Sequence, residues 1–156
     1  MRKRILLALL ALLVIIQFIR PERNESAGPQ AGSVLNTYPA SPQVTAILEK
    51  ACFDCHSNNT RYPWYSNIQP FGWWLQHHVD EGKRALNFDE FRGYNARRQV
   101  KKMEETIEQV KKGEMPLDSY TWIHKDAKLT DGERRALSAW ADSVAKAVSW
   151  QRPDNQ

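Results

Sequence analysis

The strongest constraint on the fold is the helical spacing of apolar residues in several segments, each bounded by residues that start or stop helices. Helices are predicted over residues 42–52, 71–85 and 96–112, and from Thr130 onward. Ser41 is a good N-cap ahead of a proline, and Gly113 ends the third helix. Thr130 followed by Glu133 is a capping box. No segment alternates apolar and polar residues as a strand would, so the sequence predicts an all-α fold with long loops.

The first twenty residues have the layout of an export signal. Three basic residues precede an uncharged apolar run over residues 5–19, and Arg20 follows it. This pattern predicts a signal anchor, here a short transmembrane helix, or a signal peptide over residues 1–20. Basic residues at the start favour a cytoplasmic N-terminus. The rest is then expected at the periplasmic face of a bacterial inner membrane or, after cleavage near residues 26–28, soluble in the periplasm.

Composition divides the remainder of the chain into three parts. Residues 21–40 are rich in Pro, Gly, Ser and Ala, which predicts a flexible tether. Residues 41–150 form the predicted domain, and residues 151–156 a disordered tail. Without the four basic residues of the first twenty positions, 18 Lys and Arg face 18 Asp and Glu. A neutral domain gives no electrostatic reason to expect nucleic acid as a partner.

Both cysteines of the chain lie in the sequence Cys52-Phe53-Asp54-Cys55-His56. C-x-x-C-H is typical of covalent haem c attachment. Two thiols three residues apart can add to the two vinyl groups of one porphyrin, and the adjacent histidine can bind the iron as proximal ligand. The pattern predicts one covalent haem c, and its assembly outside the cytoplasmic membrane agrees with the export signal.

The cysteine pair has three other interpretations. A thioredoxin-like redox pair needs a βαβ setting, which the sequence does not predict. A zinc site commonly needs a second pair of ligands, and His77, His78 and His124 do not provide one. A structural disulfide stays open, although the following His56 argues for haem.

The chain also resembles the haem-binding domain family of bacterial single-haem proteins over about residues 42–148. The resemblance rests on segments like C-x-x-C-H-S-N, W-P-W-Y, E-G-R-x-x-L-N-F, G-E-M-P and H-x-x-A-x-L-T. Here they are residues 52–58, 62–65, 81–88, 113–116 and 124–130. The resemblance implies a haem-binding, periplasm-facing protein.

A sixth iron ligand is predicted after the third helix. Met115 lies in a loop directly before a proline, as the distal methionine does in short cytochromes c, and methionine or histidine can serve there. His78 and His124 are the alternatives, as is an open iron. Met103 falls on an apolar helical stripe and is interpreted as core filler.

Six aromatic side chains within residues 62–74 are expected to help cover the haem, or to pack in the core. They are Tyr62, Trp64, Tyr65, Phe71, Trp73 and Trp74. Arg61 is expected to pair with a haem propionate, and Trp64 or Tyr62 to donate a hydrogen bond to one.

Taken together, the sequence predicts a cytochrome c-like carrier of single electrons. The carrier would use Cys52, Cys55, His56 and Met115, and would exchange electrons with redox proteins that the sequence does not name. It would not be a turnover enzyme. The alternative is a haem sensor or a peroxidase-like protein whose sixth iron position exchanges ligands.

Overall fold

The computed structural model describes residues 1–151, in which helices are joined by loops and no strand is found. Eight α-helices are found in this part of the chain: α1 (Arg2–Ile16), α2 (Val34–Thr37), α3 (Pro42–Ala51), α4 (Phe53–His56), α5 (Phe71–Ala85), α6 (Ala96–Lys112), α7 (Asp118–Thr121) and α8 (Asp131–Trp150). Three 3₁₀ helices cover Trp64–Asn67, Phe88–Gly93 and Lys125–Ala127. The all-α prediction is confirmed.

Capping residues mark several ends of the long helices. The Ser41 side chain accepts a hydrogen bond from the Val44 amide at the start of α3. Gly113 ends α6 with a φ of 75°, a left-handed conformation that glycine adopts without strain. Thr130 and Glu133 form the reciprocal capping box of α8.

The core lies where α3, α6 and α8 meet, with the Phe88–Gly93 segment against them. Its apolar side chains are almost completely removed from water, and these include Ile47, Leu48, Phe88, Phe91, Met103, Leu137 and Val144. Met103 is fully buried, so its interpretation as core filler is confirmed. The packing of α6 on α8 leaves one face of α6 for the site described below.

The N-terminal helix does not match the predicted anchor. α1 has 15 residues, and within residues 1–151 no helix is both long and apolar enough to cross a membrane. After α1, the Gln17 side chain donates to the Gln69 carbonyl, and the indole N–H of Trp73 donates to the Ile19 carbonyl.

The segment 21–40, for which a tether is predicted, packs against the domain. Val34 is fully buried in the core. The buried Asn24 donates from its side chain to the Ser57 carbonyl and to the Thr60 hydroxyl. The packed unit therefore begins before residue 41. Apart from Gln151, the predicted tail lies outside the described residues.

Candidate functional site

The site is built on the junction between α3 and α4. The Cys52 amide donates to Leu48 at the end of α3, and the His56 amide donates back to the Cys52 carbonyl at 2.9 Å. One helical turn thus holds Cys52, Cys55 and His56, the three reactive side chains of the C-x-x-C-H segment. Its regular geometry follows from the apolar face of α3, which anchors the turn to the core through Ile47 and Leu48.

A backbone carbonyl fixes the His56 ring. Its Nδ1 lies 2.9 Å from the Leu86 oxygen, where a ring N–H donates to the carbonyl. Nε2 then remains as the nitrogen able to bind a metal, the usual arrangement for a ligating histidine. Burial lowers the pKa of His56 below its ordinary value, and the hydrogen bonds of the ring to the Leu86 and Gly82 backbone raise it by less. The imidazole is therefore neutral at pH 7, the form that ligates metals.

A glycine lets α5 come close to the cysteine turn. A Cβ added to Gly82 would lie 2.5 Å from the Cys55 carbonyl oxygen and 3.0 Å from the Cys55 Cβ. The first distance is too short for a real contact, and the second is tighter than most real ones. Only glycine allows this approach, which brings Leu86 at the end of α5 within reach of His56.

Both cysteines are free and partly buried. Burial raises the pKa of the Cys52 thiol to about 12 and that of Cys55 to about 11, with smaller contributions from Cys55 and Asp54 respectively. Both thiols are protonated at neutral pH. A redox-active dithiol needs a lowered thiol pKa instead, so this environment does not suit a thioredoxin-like pair.

Two adjoining cavities open beside this turn, with volumes of about 400 and 240 Å³. Six residues line both of them: Ala51, Cys52, His56, Ala85, Met115 and Pro116. Leu86, Phe88, Val110 and Leu129 add apolar surface to the larger cavity, and Cys55, His78 and Tyr120 line the smaller one. Together they form one mainly apolar slot, with His56 and Met115 among its walls.

A profile of the haem-binding domain family matches residues 11–143. The chain belongs to this family. No curated protein and no solved structure matches the chain in the corresponding comparisons. The family match confirms the predicted haem cofactor.

The residues of the slot fit a haem. Within residues 1–151, no three His, Cys, Asp or Glu side chains gather into a group that could hold a bare metal ion. A porphyrin brings four nitrogen ligands to its iron, so the protein has to supply only one or two more. A neutral, oriented His56 meets that need, and apolar walls suit the macrocycle.

The structure brings some predicted ligands to the slot and leaves others outside. Met115 lines both cavities. His78 lines the smaller cavity, with its Nδ1 2.8 Å from the Trp74 carbonyl oxygen. His124 lines neither: its ring stacks on Tyr120 at 4.4 Å, and its Nε2 lies 3.0 Å from the Tyr65 hydroxyl. Its neighbours hold it away from the haem-binding slot.

Arg61 has a different partner from the one expected. Its Nε and Nη2 donate to the Asp54 carboxylate at 3.0 and 3.3 Å, and Nη2 also donates to the Glu49 carbonyl. The Tyr120 hydroxyl donates to the same carboxylate at 2.6 Å. Burial, and then the bond to Asp54, raises the pKa of Tyr120 well above its ordinary value. Arg61 thus holds Asp54, a residue inside the cysteine motif, instead of reaching into the slot.

The aromatic cluster of residues 62–74 does not line the slot either. Trp64 is 76% exposed, and Trp73 bonds to the N-terminal segment. Phe88 and Tyr120 supply the aromatic walls instead. The sequence analysis includes Phe88 only as part of the family-like segment 81–88 and gives no role to Tyr120. The place of Tyr120 at the slot depends on tertiary packing, which its neighbours in the sequence do not indicate.

Two of the family-like segments are joined by asparagines. The Asn87 side-chain amide donates to the Asn58 side chain at 2.7 Å, and the Asn58 amide donates to the Asp89 carboxylate at 2.9 Å. Asn87 is itself buried. These bonds fix the loop after His56 to the segment that follows Leu86, and so keep the proximal histidine and its carbonyl partner in register.

Proposed function

We propose that this protein carries one covalent haem c and transfers single electrons on the periplasmic side of a bacterial inner membrane. Cys52 and Cys55 would hold the cofactor, and His56 and Met115 would be its two axial ligands. The observation that carries the proposal is the slot itself. Cys52, His56 and Met115 line both of its cavities, although Met115 is far away in sequence.

The reaction proposed for the two cysteines is an addition. Each S–H would add across one vinyl group, so that a C–S bond forms while the hydrogen goes to the neighbouring vinyl carbon. No oxidant is consumed, and the thiols need not form a disulfide. The reactive turn suits this step because one stretch of helix presents both thiols to the same slot.

The protein's part in electron transfer is to keep the iron coordination constant. The haem supplies one-electron redox chemistry at its iron. The bond from His56 to Leu86 fixes the ring, and the apolar walls exclude water from the slot, which limits reorganisation when the charge changes. Electron donors and acceptors would be other redox proteins.

Export is proposed on two grounds. Covalent attachment of this kind takes place outside the cytoplasmic membrane, and the chain starts with basic residues ahead of an apolar run. Fractionation of cells into cytoplasm, periplasm and membrane tests this, and recovery of haem-free protein in the cytoplasm alone would contradict it.

Met115→Ala tests the ligand set after expression with the haem-attachment machinery. We expect wild type to gain the mass of one haem, to show a low-spin c-type spectrum with the weak far-red sulfur-to-iron band when oxidised, and not to bind carbon monoxide when reduced. The variant is expected to keep the haem mass, lose that band and bind carbon monoxide.

Met103→Leu is the matched control, because it removes a methionine from the core and not from the slot. It should leave spectrum and ligand binding as in wild type. A wild type that gains no haem mass would overturn covalent attachment. A wild type that binds carbon monoxide would favour the sensor or peroxidase-like alternative, with an exchangeable sixth position.

A further inference from the structure

We propose that Lys102, and not Arg61, binds a haem propionate in this protein. The inference rests on the proposed function, since it requires haem to occupy the slot beside His56. It assigns the polar edge of the cofactor to one face of α6.

The larger cavity has its polar groups on one side. They are Lys102, Glu105, Thr106, Glu108 and Gln109, all on α6. Lys102, Glu105, Thr106 and Gln109 are spaced i, i+3, i+4 and i+7, so they share one helical face. The other walls are mainly apolar, apart from His56 and the thiol of Cys52.

A haem has the same asymmetry. Its propionates leave the macrocycle on the side away from the vinyl groups. With the vinyl side attached to the cysteine turn, the propionate side is directed to whatever lies across the slot. The polar face of α6 is the wall of the larger cavity that offers a cation to such a group, because the other walls there are mainly apolar.

Lys102 is the cation on that face. Among the described residues that line the two cavities, it is the one lysine or arginine. Its side chain is only 19% exposed and donates to Glu105 at 2.6 Å. An ammonium group has three donors, so two remain for a propionate. Glu105 and Glu108 on the same wall would repel a propionate unless this charge is present.

Arg61 is unsuited to the role for two reasons. Its guanidinium already bonds Asp54 and Glu49, and its side chain is 66% exposed. It lines a depression with Tyr120 and His124, and it lines neither cavity of the slot. A propionate held there would have to compete with the carboxylate of Asp54.

The test compares Lys102→Gln with Lys101→Gln in the haem-loaded protein. Lys101 is a matched control: it also pairs with Glu105, at 3.7 Å, but is 70% exposed and does not line the slot. Mass measurement first establishes haem attachment in both variants. Resonance Raman spectra of the propionate bending mode and the reduction potential are then recorded.

We expect Lys102→Gln to shift the propionate band and to lower the reduction potential, since loss of a positive charge near the haem favours the oxidised iron. Lys101→Gln should match wild type in the Raman band. Lys102→Arg should restore most of the wild-type band, because the charge and donors return.

Glu105→Gln gives a second measurement should Lys102→Gln fail to fold. Freed from Glu105, the ammonium would bind the propionate more strongly, so the band should move opposite to the Lys102→Gln shift. If wild type carries no haem, the proposed function fails. If haem is attached and the band is insensitive to both Lys102 and Glu105, this inference fails and the proposed function stands.

Discussion

His56 and Met115 line the same haem slot, but the protein holds the two side chains by different means. On the proximal side, the His56 ring bonds to Leu86, and Gly82 packs directly on the Cys55 backbone. On the distal side, Met115 lies in a loop where the backbone amides of Glu114 and Met115 both donate to the Gln109 carbonyl.

The two sides also differ in burial. Asp54, within the cysteine motif, is buried and bonded by Arg61 and Tyr120. Met115 is half-exposed, and its loop follows directly on the end of α6. The difference indicates that His56 is held in place by buried neighbours, whereas the position of Met115 depends on where α6 ends. The proximal side should therefore tolerate change less well.

The largest effect is expected from Gly82→Ala. The new Cβ would meet the Cys55 carbonyl oxygen, so the backbone must move, and the cost is expected at the upper end of the usual range for overpacking, about 3 kcal/mol. We expect a lower free energy of unfolding by denaturant titration and a smaller fraction of chains with covalent haem by mass. Gly132→Ala is the control, because its nearest neighbour, the Thr130 hydroxyl, is 3.9 Å away. Equal behaviour of the two variants would contradict the close-packing argument.

A smaller effect is expected from Asp54→Asn. The substitution keeps the shape but removes the charge that accepts bonds from Arg61 and Tyr120, and such charged hydrogen bonds contribute about 2 kcal/mol. Most of this should come from the sheltered Tyr120 bond, since the exposed guanidinium is screened by water. Asp142→Asn, which breaks the exposed pair with Lys146, should cost less than about 0.5 kcal/mol. Denaturant titration measures the loss of unfolding free energy in both variants. Equal losses would contradict the expected difference between the buried and the exposed carboxylate.

The smallest effect is expected on the distal side, from Gly113→Ala. A φ of 75° is strained for alanine by about 1 kcal/mol, while the nearest atom is the flexible end of Arg134. We expect a modest fall in the unfolding free energy, together with carbon monoxide binding as the Met115 loop shifts. Gly93→Ala, with open space around it, should change neither. If Gly113→Ala lowered the free energy of unfolding more than Gly82→Ala does, the expectation that the proximal side tolerates change less well would be wrong.

Local signals made much of the fold predictable. Ser41, Gly113 and the Thr130–Glu133 box act through backbone groups within a few residues, so their effects can be read along the chain. The same holds for the haem-binding turn, because its three reactive side chains lie within five residues.

Long-range pairings were not predictable in this way. Nothing local indicates that Arg61 bonds to Asp54, or that Trp64 stays in water while Phe88 lines the slot. The charged residues of α6 repeat along the helix, but this pattern does not show that some of them line the slot. The apparent tether was misleading for a related reason: a Pro- and Gly-rich segment can still be held by a few buried side chains such as Val34.

The position of Asn24 has a consequence for how the chain can be processed. Its side chain bonds the Ser57 carbonyl and the Thr60 hydroxyl, directly after the proximal histidine, and accepts a bond from Lys83. A peptidase cutting at residues 26–28 would separate this asparagine from the domain it supports. The loop after His56 would then lose its buried partner, so we expect a cut at this point to destabilise the domain.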